Sequence, residues 1–378
     1  MLSSLILLSK SDRKTLEKFE KEFIYSFFLF AFICLSNIYY FGGDYRDFDS
    51  YSRFILVIPI FYYVRNSNLS FNWIIFGICL AAIIFGINKI LMVFFGLNIF
   101  PFVKSYGFVS FYGAIFGLTA LFFLNKKKRM SSIILFLFSG YLGFLTSFLA
   151  GGRGVWIASI ISLLILFVLN PAKWNRLEKL FIPFLFFIAF ISSLAIPQSG
   201  MSDRMKLAID GAKEYITNYD KNVDTSKGLS ATTRLEMWRS AIHISKENLL
   251  FGVGENNYKK HTLDLINQGV IGDYIKQFNH PHGQYLSTLV QQGLVGLFSL
   301  LWLFYVPIKA AMLSYWDDQE NNENVNNIRS MIIIVSFYYI FYSLTNGVFD
   351  HQNTTLFYAY SIAILLGFLK KEKDLISN

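Results

Sequence analysis

Residues 126–129 read Lys126-Lys127-Lys128-Arg129, and after Met130-Ser131-Ser132 comes a run without a single charge, residues 133–150, IILFLFSGYLGFLTSFLA. Eighteen helical residues rise about 27 Å, close to the roughly 30 Å of a bilayer's hydrocarbon. A block of cations against such a run is a membrane stop, and it marks the cytoplasmic side. The reading that decides the fold is therefore a helix in lipid.

Similar stretches lie near 23–41, 54–64, 73–91, 107–124, 154–169, 180–196, 285–306, 331–347 and 355–369, about ten spans in all and up to twelve if the shorter runs split. The second is short and leans on Tyr51, Tyr62 and Tyr63 as interfacial extensions. Composition agrees: of 378 residues 54% are hydrophobic and 16% charged, against about 25% charged in soluble domains. Mean hydropathy is +0.43, and the 41 Phe, 22 Tyr and 6 Trp suit a chain that faces lipid and its interfaces. The expected fold class is all-α and polytopic. Cys34 and Cys79 fall inside apolar runs and read as small buried residues. The apolar stretch Leu5 to Leu8 is too short for a signal-peptide core, so the first span is expected to serve as the membrane address, with nothing cleaved.

Charge sets the orientation. With the N-terminus inside, the inner segments hold eighteen cations, among them Arg65, Lys126 to Arg129, Lys309, Arg329 and Lys370, while the short outer loops hold only Arg46, Arg53, Lys104 and Arg153. The net charge of +9 thus reports orientation, and nucleic acid is not an expected partner. The organisation is an inner segment 1–22, seven spans over 23–196, a large outer loop 197–284, three spans over 285–369 and an inner tail 370–378. Loops of that length are commonly functional. Within it, 202–219 and 233–247 have helical periodicity, the latter with Leu235, Trp238 and Ile242 on one face, and 218–232 reads as a linker. Asn321 to Asn327 reads as a solvated polar tract.

Lys89 is the clearest ionisable residue within a span; following Asn88, it is expected to end the third span and snorkel outward, leaving Ile90 to Phe102 at the interface. Between spans five and six lies Gly151-Gly152-Arg153-Gly154. Its arginine is either an ordinary interfacial residue or a fixed cation beside glycines that let a phosphate approach the backbone. Thr233-Arg234-Leu235-Glu236-Met237-Trp238-Arg239 opens a helix with Arg234 in the first turn, where the macrodipole disfavours a cation; Arg234 either pairs with a carboxylate three or four residues on or serves another purpose. Gly252-Val253-Gly254-Glu255 follows, a weak turn signal by itself. The run His280-Pro281-His282-Gly283-Gln284-Tyr285-Leu286 enters span eight, followed by Gln291-Gln292-Gly293-Leu294-Val295-Gly296. At a helix N-terminus and partly buried, His282 is expected to be neutral and able to act as a general base. His280-x-His282 with His261 or Asp273 has no usual zinc spacing.

The Gly-Arg-Gly turn, the Thr-Arg-x-x-x-Trp helix start, the Gly-Val-Gly segment and His-Gly-x-x-Leu with Gly-x-x-Gly entering the next span together resemble the O-antigen ligase and polymerase superfamily of membrane glycosyltransferases. The likeness runs from span five to the last span, and the first four spans match in hydropathy alone. It implies the architecture of the C-type glycosyltransferases that use lipid-linked sugars, a bacterial inner-membrane location, and a periplasmic loop at 197–284. Chain size without an added terminal domain looks most like an O-antigen ligase, which moves O-antigen from undecaprenyl diphosphate to the lipid A core oligosaccharide. The resemblance assigns Arg153 and Arg234 to the diphosphate, with Arg239 as a further candidate, and His282 to the acceptor hydroxyl. Gly152, Gly154, Trp238, Gly252, Gly254 and Gly283 support them, and His280, followed by Pro, fits the motif less well and is expected to be dispensable. Gly283 stands where the family often has Asn. No metal or other cofactor is implied, and the displacement at the anomeric carbon is expected to be inverting. The alternatives are an O-antigen polymerase, which joins lipid-linked repeats, and a lipid-linked glycan flippase, for which cations should line a cavity through the membrane's depth.

Overall fold

The computed structural model describes residues 17–43, 45–99, 106–124, 129–169, 176–203, 206, 209–210, 231–317 and 322–377. Among them there is no β-strand. Four helices are long and apolar enough to cross a membrane by length and composition: Lys18–Phe41, Phe71–Phe95, Met130–Ala150 and Gln284–Leu313. Shorter apolar helices cover Gly107–Phe122, Arg153–Leu169 and Lys179–Leu194. The chain is thus an all-helical, multi-pass membrane protein. It divides into two compact units, one drawn from Met1–Ser67, Lys206–Asn321 and Ser343–Asn378, the other from Asn68–Met205 and Asn322–Tyr342.

The first unit begins with α1 (Lys18–Phe41), started by a capping box between Glu17 and Glu20 and closed by Gly42 in the left-handed region. The short span expected at 54–64 is two helices, α2 (Tyr45–Leu56) and α3 (Ile58–Asn66), because Pro59 suits a new first turn better than a helix interior. Later in the chain come α9 (Ala231–Glu247), α10 (Tyr258–Asn267), α11 (Gln284–Asp317) and α13 (Gln352–Ser377). Their core is aromatic: Phe54 meets Phe349 edge-on at 5.2 Å and Tyr358 meets Phe304 at 5.5 Å. Much of the aromatic excess therefore fills the interior instead of facing lipid. Ion pairs join Arg65 to Glu20 (2.7 Å), Lys309 to Glu22 (2.8 Å) and Lys370 to Glu17 (2.5 Å), tying α3, α11 and α13 to the start of α1. Cys34 is buried and free, as is Cys79 in the other unit.

The second unit contains α4 (Phe71–Phe95), α5 (Tyr106–Phe122), α6 (Met130–Ala150), α7 (Arg153–Leu169), α8 (Arg176–Leu194) and α12 (Glu323–Tyr342). Gly113 and Gly117 of α5 face Gly140 and Gly143 of α6 so closely that a Cβ on Gly143 would stand 2.6 Å from the Gly113 carbonyl oxygen. Small residues let membrane helices approach and gain dispersion contact where no hydrophobic drive separates helix from lipid.

Three expectations change here. α4 does not end at Lys89 but continues to Phe95, and Lys89 is buried at 4% exposure instead of snorkelling. Neighbouring Asn88 accepts from the backbone of Ile99 at 2.8 Å, drawing the following segment back onto the helix. The polar tract at 321–327 is largely the first turn of α12, because the Asn322 side chain caps the backbone N–H groups of Asn324 and Val325. Arg329, counted as a loop cation, is buried in α12 and donates to Asn326 at 3.0 Å. The helix expected at 202–219 and the linker at 218–232 lie mostly outside the described residues, as do Lys126 to Lys128.

Candidate active site

The polar connection before α11 has a core of its own. Met237, Ala241 and Ile244 of α9 are buried, packed with Val253, Tyr258, Ile271, Ile275 and Val290. The buried face is therefore the one next to Leu235, Trp238 and Ile242, and Ile242 is exposed. Polar pairs decide the rotation: Tyr258 Oη donates to the Met237 carbonyl at 3.1 Å, Ser240 and Thr262 hydroxyls meet at 2.9 Å, and Glu236 accepts from Gly272 N at 3.0 Å.

Two of the quoted motifs turn out to be halves of one device. α11 is interrupted at Gly293 (φ 68°, ψ −161°), which leaves backbone groups on both sides without helical partners. Val253 N and Gly254 N donate to the carbonyls of Val290 and Gln291 at 2.8 and 2.9 Å, and Leu294 N donates to Leu249 O at 2.8 Å. Asn37 Nδ2 of α1 adds a bond to Gln291 O at 2.9 Å. The approach requires glycine at 252 (φ 70°), where a Cβ would lie 2.5 Å from the Gln291 carbonyl. Gly254 lies against the ring of Phe41.

The start of α11 is fixed by the loop before α13. Gln284 N donates to Ser343 O (2.8 Å) and Asn346 O (3.1 Å), and its side-chain carbonyl accepts from Phe349 N at 2.7 Å. Just ahead sits His282 with φ 53°, a left-handed conformation uncommon for a residue other than glycine. Its backbone N–H donates to His280 Nδ1 at 3.3 Å, and the two rings lie 4.2 Å apart. Burial, with the charges that His280, Arg234 and His351 can carry, brings the His282 imidazole down to about 3 from 6.5. It is neutral at physiological pH, as expected, and for more reasons than helix-end burial. Burial also lowers His351, against the pull of Asp350.

The structure thus brings Arg234, in the first turn of α9, to act on His282. Trp238 joins them, its Nε1 buried and 3.5 Å from where a Gly283 Cβ would stand. Arg239 pairs with Glu236 at 3.6 Å. Arg153 is half-buried in the second unit as the first residue of α7, with Gly154 following it; Gly152 packs against the Ser110 side chain and Gly151 (φ 80°) closes α6.

Two acids escaped the sequence reading. Asp350 Oδ2 lies 3.6 Å from His280 Nδ1 and accepts from Ser287 Oγ at 3.4 Å. Glu255 accepts from Gln292 Nε2 at 3.0 Å and Tyr51 Oη at 3.4 Å; burial first, then Asp350 and Asp47, raises it to about 8. The available signal was an acid beside a histidine in a short outer loop, Asp350-His351, and an acid directly after Gly-Val-Gly. Among the described residues no cluster of three or more His, Cys, Asp or Glu could hold a metal ion. What the site offers is a guanidinium for an anion and a neutral imidazole nitrogen for a proton.

The fold and site define a polytopic membrane protein that carries an arginine–histidine site where a partly helical connection enters a broken helix. Residues 138–301, from α6 into α11, match the family model described as O-antigen ligase. The matched segment includes Arg153, Arg234 and His282 and leaves out Asp350. An uncharacterized protein of Haemophilus influenzae is 25% identical over 347 residues, covering 90% of this chain and 84% of its own length. The family points to ligase- or polymerase-type activity of a glycosyltransferase kind.

Proposed function

We propose that the protein transfers O-antigen polysaccharide from undecaprenyl diphosphate to the lipid A core oligosaccharide at the periplasmic face of the bacterial inner membrane. The observation that carries this reading is the neutral, half-buried His282 within reach of the Arg234 charge, at the entrance to α11. In the reaction, the acceptor hydroxyl's O–H bond breaks and its proton goes to a His282 ring nitrogen. The freed oxygen bonds to the anomeric carbon from the face opposite the leaving group, and the C–O bond to phosphate breaks with its electron pair. The diphosphate departs with that added charge, and the resemblance assigns Arg234 and Arg153 to meet it, each able to do so in planar, bidentate fashion. A bound diphosphate also cancels part of the Arg234 charge that depresses His282, so donor binding makes the imidazole a stronger base.

Residues 197–284 are periplasmic in this proposal and both ends cytoplasmic. Within the first unit, the ion-paired cations Arg65, Lys309 and Lys370 all belong to the expected inner segments, while Arg53 donates to the Gln352 carbonyl at 2.6 Å, both on the expected outer side. Purified protein in nanodiscs, offered lipid-linked O-antigen with either lipid A core or a second lipid-linked glycan, tests the reading: glycan on the core supports it, and extension of the lipid-linked chain alone would make this a polymerase. Arg153→Lys and Arg234→Lys should each lower transfer at least tenfold, because an ammonium cannot reproduce the guanidinium fork. Full transfer in both would remove the diphosphate role.

A further inference from the structure

We propose that His280 is a positioning residue for His282, an assignment that rests on the reading of His282 as the proton acceptor. His282, a non-glycine residue at φ 53°, sits in the disfavoured left-handed region, so its surroundings must hold it there. Gln284, two residues on, is anchored by Ser343 O and Asn346 O. The nearer restraint is the bond from the His282 backbone N–H to His280 Nδ1 at 3.3 Å, with the rings in contact at 4.2 Å. Nδ1 can accept that bond only while it carries no proton.

The same nitrogen has a competitor. Asp350 Oδ2 stands 3.6 Å from it, too far for a good hydrogen bond yet close enough to become one after a small rotation. Ser287 Oγ holds that carboxylate oxygen at 3.4 Å, and Oδ1 is buried with no hydrogen-bond partner among the described residues. His280 thus pins the backbone of His282 through this nitrogen, with the Asp350 carboxylate bordering it. The titratable and charged groups around it are His282 on its own segment, Asp350 and His351 (6.3 Å between rings) from the loop before α13, and Arg234 from α9, which acts through His282. Glu255 is linked to the same cluster, since Asp350 helps to raise its carboxyl.

The test compares His280→Ala and His280→Asn in detergent-purified full-length protein, with kcat and KM for each substrate. Asparagine places an acceptor oxygen near the position of Nδ1. Expected are a ten- to hundredfold fall in kcat for His280→Ala with KM for the lipid-linked donor unchanged, and recovery to within about threefold in His280→Asn. Full kcat in His280→Ala, or an asparagine variant as slow as the alanine one, overturns the positioning role. His282→Ala separates the two levels: if that variant remains active the base reading itself has failed, and if it is dead while His280→Ala is fully active only the positioning role has.

Discussion

The seam between α5 and α6 and the break in α11 both depend on glycine, and they spend it on different things. In the seam the helices run uninterrupted, and glycine only shortens the distance between two cylinders. At the break, glycine admits an irregular backbone whose exposed amides and carbonyls are taken up by residues 249–254, and the side chains next to it are polar. Non-helical backbone at membrane depth survives only where protein satisfies it, which ties the broken helix to the loop that carries Glu255 and to α9 with Arg234. Damage to the seam should be read in stability and damage near the break in rate.

The largest effect follows from His282→Ala, expected to lower transfer by about 10² to 10⁴ with an unchanged melting temperature in detergent; a large loss of melting temperature with normal transfer would dissolve the contrast. Sharper still is a paired test. Gly143→Leu forces a side chain into the Gly113 carbonyl and the Gly117 backbone, and overpacking of this kind costs roughly 1–3 kcal/mol, seen as a lower melting temperature with transfer per folded molecule retained. Gly252→Ala should show the opposite pattern, with transfer falling by more than the melting temperature suggests. Equal phenotypes in the pair would break the comparison.

A smaller effect is expected at Glu255. Its folded-state value of about 8 lies above the ordinary 4.5, so between those values the folded protein holds a proton that the unfolded chain has released. Stability is then greatest at or below about pH 4.5 for this group and declines as pH rises through 8. Glu255→Gln, which mimics the protonated acid, should flatten the fall in melting temperature between pH 5 and 9; an unaltered slope would mean that the carboxyl is ionised in the folded protein. Smallest is Lys276→Ala. The lysine's pair with Asp273 is 3.9 Å long and mostly exposed, so neither rate nor melting temperature should move measurably.

Helix positions were legible because a charge-free run of spanning length has few other solutions in lipid, and the run at 133–150 became α6 with only its ends adjusted. The failures have local causes. Lys89 was read as an end because a buried cation is costly, but the sequence does not reveal the tertiary setting that accommodates it. Periodicity groups Leu235, Trp238 and Ile242 on one face of α9 but does not tell that the neighbouring face, with Met237, Ala241 and Ile244, is the buried one, where Met237, Ser240 and Glu236 find hydrogen-bond partners. Arg234 and His282 were legible as types at rule-breaking positions. The contact of His280 with Asp350 was not, since seventy residues separate them and only the folding of the last loop onto the start of α11 brings them together.

The unit that holds His282 is assembled from three separated stretches of chain, and its last helix, α13, lies against α3, where a Cβ on Gly367 would stand 2.9 Å from the Phe61 carbonyl. Ribosomal synthesis delivers these pieces in order. Helices α1 to α3 therefore enter the membrane well before two of the partners that bury their aromatic faces have been translated, and the helices from α4 to α8 are made in the interval. A chain arrested after Gly296 would already contain Arg153, Arg234 and His282, yet it would have neither Asp350 nor the carbonyls of Ser343 and Asn346 that anchor the start of α11.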